Sequence, residues 1–122
     1  MATLQEYQSK ALRNEKFLTH HKLSEGEFVE WAVTILFYSA LHWMRALAAQ
    51  EGRQIRTYNK EDEVFQGAGI FTRQSYDWYR QLKDASRDAR YEMTQFSASE
   101  FQDLHQNCFE PFKSFVTSNL RV

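Results

Sequence analysis

One proline, one cysteine and four glycines in 122 residues leave this chain little with which to build a disulfide scaffold, a turn-rich β-fold or a flexible linker. The single thiol, Cys108, cannot close an internal bridge and points to a reducing compartment. An excess of one charge is also lacking. Fifteen basic and 16 acidic side chains give a formal net charge of −1, so no overall field draws the chain to nucleic acid or to an anionic membrane. Any such binding must come from a local patch. There are no strand-like alternations, internal repeats or low-complexity tracts. Gly67-Ala68-Gly69 has no preceding strand that would make it a phosphate loop. His20 and His21 are adjacent, about 100° apart on a helix, and poorly placed to share a metal. Neither metal nor cofactor is expected. The polar opening MATLQEYQSKALRNEKF has no charged-then-apolar leader, which predicts a cytoplasmic protein without a signal peptide.

What is present is helical. A composition 43% hydrophobic and 25% charged suits one compact domain over residues 1–122, and a core of this size buries roughly two-thirds of the unfolded surface without a staple. Glu27–Gln50 is apolar on nearly every side, as a helix central to its domain must be. The run Trp31–Ala49 approaches membrane-span length, but Thr34, Ser39, His42 and Arg45 interrupt it, and it reads as a buried core helix with no membrane contact.

Three capping-box patterns, Thr3-x-x-Glu6, Ser24-x-x-Glu27 and Ser97-x-x-Glu100, mark helix starts. They predict helices over Leu4–His21, Glu25–Glu51 and Ala98–Asn119, the second stopped by an αL glycine at Gly52. A further helix over Thr72–Met93 places Trp78, Tyr79, Leu82, Ala85, Ser86 and Ala89 inward. Asn59 can cap a short helix through Phe65. Leu4, Tyr7, Ala11, Asn14, Phe17 and Leu18 form the inward stripe of the first helix, and Trp31, Ile35 and Leu36 are expected in the core. Trp43, Tyr58 and Phe71 are candidates for an exposed or subunit-contact surface. Pro111 interrupts the last helix and predicts a kink near Asn107–Glu110. The fold class is therefore all-α, an up-and-down bundle of four long helices plus a short fifth.

Tyr38, His42 and Arg45, four and three residues apart, lie along one face of the central helix. Arg80, Lys83, Arg87 and Arg90 recur at spacings of three, four and three and make a cationic stripe, either a solvated face with pairs such as Asp84–Arg80 and Asp84–Arg87 or a footprint for phosphates. Arg56 adds a cation between the two long blocks.

WAVTILFYSALHWMRALAAQEG, followed about thirty residues later by WYRQLKDASRDARYE, resembles the pattern of HEPN-domain proteins, the "higher eukaryotes and prokaryotes nucleotide-binding" bundles. The matching positions are Trp31-Ala32, Phe37-Tyr38, Ala40-Leu41-His42, Tyr79-x-x-Leu82 and Ser86-x-x-Ala89-Arg90-Tyr91. The resemblance spans about residues 4–118. It implies a HEPN-like bundle, a homodimer, that binds or cleaves RNA or binds a nucleotide phosphate, in a defence or toxin-type system. An enzymatic member would be a metal-independent ribonuclease. On that reading His42 and Arg90 are the catalytic pair, and Tyr38, Arg45, Arg56, Arg80, Lys83, Arg87 and Tyr91 surround the nucleotide or RNA. The family's nuclease motif, an Arg followed by a His after four to six residues, has its only local match in Arg13 and His20. That match lies in the first helix rather than a later one. The alternative is a non-catalytic protein-interaction or dimerisation module in which the same polar residues form a buried structural network.

Overall fold

Thr3, Thr72 and Ser97 each close a reciprocal capping box, and these boxes set where three helices begin. The Thr3 hydroxyl accepts from the Glu6 N–H at 3.1 Å while the Glu6 carboxylate accepts from the Thr3 N–H, satisfying donors that a helix N-terminus leaves bare. In the Thr72 box Ser75 plays the part of the acidic partner, which is why a search for Glu or Gln three residues on misses it. The computed structural model describes residues 2–25, 27–52, 65, 69–92 and 94–121. Among them are helices α1 (Leu4–His21), α2 (Val29–Gln50) and α3 (Arg73–Tyr91). The last helix, α4, is assembled from an α-helical Ala98–Leu104, a π-helical His105–Phe109 and an α-helical Glu110–Asn119. No strand occurs among the described residues.

The start of the central helix differs from the sequence expectation. The central helix begins at Val29, with Phe28 as N-cap and no side-chain cap hydrogen bond. Leu23–Glu25 is instead a short 3-10 turn whose Leu23 packs onto the core, so the chain spends these residues turning from α1 into α2. The C-terminal end follows expectation. Gly52 takes φ +77°, a left-handed conformation that glycine adopts without a Cβ penalty. The short fifth helix expected from Asn59, like Tyr58, Arg56 and Met93, lies outside the described residues, so the described bundle has four helices.

Pro111 sits at the start of Glu110–Asn119, where a missing N–H is tolerated. The turn before it widens, and the Glu110 N–H reaches back to the carbonyl of His105, the i→i−5 bond of a π-turn. The expected interruption thus takes the form of a π-segment over His105–Phe109.

Named contacts give the topology. The Ser39 hydroxyl donates to the Ala11 carbonyl at 2.8 Å and Tyr7 stacks on His42, so α1 and α2 are antiparallel. Gln50 donates to the Asn119 carbonyl at one end of α2, and at the other Leu36 and Phe101 line one groove, so α2 and α4 are parallel. Tyr79 meets Phe112 at 5.7 Å and Gln81 meets Cys108, which sets α3 against α4. This is an up-and-down four-helix bundle.

The core is centred on α2. Leu36, Phe37, Ala40, Met44 and Leu47 are fully buried, joined by Tyr79 and Leu82 of α3 and Phe109, Phe112 and Val116 of α4. Each large side chain of this kind contributes roughly 1.5–3 kcal/mol by leaving water. Four expectations are corrected. Trp31 is 55% exposed and Phe17 46% exposed, because all-round apolarity does not reveal which edge of a helix its neighbours leave open. Trp43, at 1%, and Phe71, at 8%, are buried rather than on a surface. Trp43 fills the space between α1 and α4, and Phe71 packs on Phe65 with ring centroids 4.5 Å apart. α2 is long and apolar enough to cross a membrane by length and composition, yet 72% of its most apolar window is buried within the bundle.

Candidate polar site on the central helix

The open edge of α2 is the line Trp31, Ile35, Tyr38, His42, Arg45 and Ala49, each exposed or half-buried. It runs along the seam between α1 and α3, and its middle is polar. On the α1 side the Tyr7 ring stacks on His42, with centroids 6.3 Å apart and planes 22° from parallel. Lys10 lies one turn further along α1. On the α3 side Arg90 Nη1 donates to the Tyr38 hydroxyl at 2.9 Å, and Arg90 Nε donates to the Ser86 carbonyl at 3.3 Å. The Arg90 guanidinium lies 5.7 Å from the Tyr38 ring centre and 5.0 Å from that of Tyr91, close enough for cation–π attraction to both.

His42 Nδ1 and Arg45 Nε are buried without a hydrogen-bond partner, a condition that costs roughly 1–3 kcal/mol per group. Burial, reinforced by the positive charges of Arg45 and Lys10, lowers the His42 pKa from 6.5 to about 4, so the ring is neutral at neutral pH. The sealed edges leave Nε2 of His42 and the Nη groups of Arg45 as the reachable nitrogens. The positive charges of Arg45, one turn along α2, and of exposed Lys10 thus both act on His42. The carboxylates of α1 nearest in sequence are engaged elsewhere, Glu6 on its cap and Glu15 on the opposite flank.

That opposite flank is fully paired. Trp43 Nε1 donates to one oxygen of Glu15 at 2.9 Å and Lys113 Nζ to the other at 2.7 Å. A groove of about 510 Å³ opens beside it, lined in part by Glu15, Lys22, Glu25, His105 and Glu110. His105 Nε2 lies 3.3 Å from the Glu110 carboxylate, and its ring is stacked by Phe101 and Phe109. Among the described residues no group of three His, Cys, Asp or Glu could hold a metal ion.

Of the residues expected at the site, Tyr38, His42, Arg45, Arg90 and Tyr91 share this seam. Arg90 reaches the α2 line through Tyr38. Arg80 is committed elsewhere on α3: its guanidinium bonds the Tyr76 hydroxyl at 3.0 Å and Asp84 at 3.3 Å, and the Tyr76 bond, then Asp84, raises its pKa. Asp84 therefore pairs with Arg80 and not with Arg87, which is exposed; Lys83 is half-buried. Arg56 lies outside the described residues. Arg13 and His20 line one shallow surface groove on α1 with Phe17 and His21, away from the α2 line. Cys108 is a core residue, its thiol 3.5 Å from the Gln81 side-chain oxygen and pushed up in pKa by burial and then by Asp103. Tyr7 and Lys10 were not expected at the site. Only the register of α1 on α2 brings them there, and no local pattern encodes it. No family model, curated protein or solved structure matches the chain.

Proposed function

We propose that this chain is a HEPN-like, cytoplasmic helical bundle whose α2 seam holds a phosphate of RNA or of a nucleotide. The observation that carries the reading is the pair His42 and Arg45 on one face of α2, with Nδ1 and Nε sealed and unpartnered and with the positive charge of Lys10 felt at His42. An anion is the charge such an arrangement lacks. Arg45 and Lys10 supply the attraction, and Arg90, steadied by Tyr38 and Tyr91, offers a planar fork for phosphate oxygens. A neutral His42 donates from Nε2, or accepts a proton there if the ligand is RNA whose 2′-hydroxyl attacks its own phosphate. Anisotropy titration of a fluorescent single-stranded RNA tests the reading. Binding should weaken steeply between 50 and 200 mM salt, as phosphate contacts require, and Arg45→Ala should weaken it while the protein still melts cooperatively. Absence of binding to RNA or nucleotide at low salt overturns it.

A second reading has its own support. Phe17, Phe28 and Trp31 are 46%, 55% and 55% exposed and lie at the end of the bundle where α1 turns into α2. Such apolar exposure favours a dimerisation or protein-interaction module. Light scattering distinguishes it: a dimer that Trp31→Ser dissociates supports this role, and a monomer at every concentration removes it.

A further inference from the structure

We propose that anion binding at the Lys10–His42–Arg45 cradle takes up a proton on His42, so that the site holds its ligand more tightly as pH falls through the acidic range. The inference rests on the phosphate reading above and concerns how that site is regulated.

His42 faces charge of one sign. From α1 come Lys10 and Tyr7; from α2, Tyr38 one turn before and Arg45 one turn after; from α3, Arg90, which reaches this line through the Tyr38 hydroxyl. Glu6 and Glu15 of α1 are engaged at the cap and on the far flank. In the empty site a proton on His42 would add a third positive charge beside Arg45 and Lys10, on a ring whose Nδ1 has no acceptor. The ring therefore stays neutral down to about pH 4. An anion seated on Nε2 and the Arg45 Nη groups reverses the sign of the local field. An opposite charge at contact typically raises a pKa by 1–3 units, which moves the His42 transition to between about pH 5 and 7. The proton comes from solvent, no bond to the ligand is made or broken, and the gain in affinity is bounded at about tenfold per pH unit between the free and bound transitions. The imidazolium then completes a three-cation clamp on the phosphate. Tyr7, stacked on the ring, keeps its plane fixed while its charge changes.

The probe is a 5′-hydroxyl oligouridylate of about ten nucleotides, within the usual site size for single strands, because neither its phosphodiesters nor its bases titrate between pH 5 and 8. Calorimetry with the wild-type protein in two buffers of different ionisation heat reads the protons taken up. The expected result at pH 5 is an uptake of about 0.4 proton or more per oligonucleotide, falling toward zero at pH 8. In parallel, the His42 ring resonance should titrate at higher pH in the complex than in the free protein. His42→Gln, which retains a side-chain donor but cannot take up a proton, should show no uptake at pH 5 wherever it binds the oligonucleotide. Binding without uptake, or uptake that persists in His42→Gln, overturns the coupling and leaves the phosphate site standing. No binding at any pH in low salt overturns the phosphate reading itself. Should His42→Gln fail to fold, the wild-type ring titration decides alone.

Discussion

The two flanks of α1 meet α2 under opposite electrostatic conditions. On one, Glu15 is held by Trp43 and Lys113, each polar atom finding a partner as helices are brought together. On the other, His42 and Arg45 face the charge of Lys10 with two sealed nitrogens left unpartnered. Both lie where α1 meets α2, the first closed by Lys113 of α4 and the second flanked by Arg90 of α3. A polar cluster that stabilises a bundle is complete in itself, whereas one that serves a ligand is complete only with the ligand.

This contrast can be tested by substitution. The largest effect belongs to the ground both flanks share: Leu36→Ala, fully buried in α2, should cost about 2–5 kcal/mol in urea unfolding, and a loss near zero would remove α2 from the centre of the core. Next comes the paired flank, where Glu15→Ala strands Trp43 Nε1 and Lys113 and should cost about 1–3 kcal/mol. Arg90→Ala loses its bond to Tyr38 and should cost about 0.5–1.5 kcal/mol while weakening phosphate binding. The smallest expected change is on the unpaired flank. His42→Leu removes an unsatisfied polar edge and should leave stability within about 1 kcal/mol of wild type, yet abolish proton uptake. A large loss on His42→Leu would place His42 in a structural network and erase the contrast.

Acid titration gives the comparison a pH axis. The His42 pKa is lowered on folding from 6.5 to about 4, so the unfolded chain binds this proton more readily. Its contribution to stability is therefore unchanged above about pH 6.5 and declines as pH falls from there toward about 4. The melting temperature of His42→Leu should fall less over that window than that of wild type. Equal slopes would show that the ring titrates as freely in the folded protein as in the unfolded chain.

Helix ends were readable because capping is local chemistry: Thr3 with Glu6, Ser97 with Glu100 and the αL glycine Gly52 are written within four residues of each boundary. Tyr38, His42 and Arg45 were readable as a line because helical spacing is fixed. Trp31 was misplaced because Trp43 is as apolar and both lie on a helix with apolar residues all round; only the neighbours packed against each separate them. Lys10 was invisible as a site residue because its proximity to His42 depends on how α1 slides along α2, which is set by contacts such as Ser39 with Ala11.

The π-turn of α4 acts as a one-residue spacer. A helix turns about 100° per residue, and the wide turn over His105–Phe109 takes up one residue more than that ladder holds. Phe101 on one side of the spacer and Phe112 and Val116 on the other all reach the same core. Removing one residue from Gln106 or Asn107 would restore an ordinary helical ladder and leave both halves of α4 facing their present partners. This stretch is consequently the place where α4 absorbs a change of length: exposed Gln106 and Asn107 can lose one residue between them, whereas a deletion on either side would turn Phe101 or Phe112 out of the core.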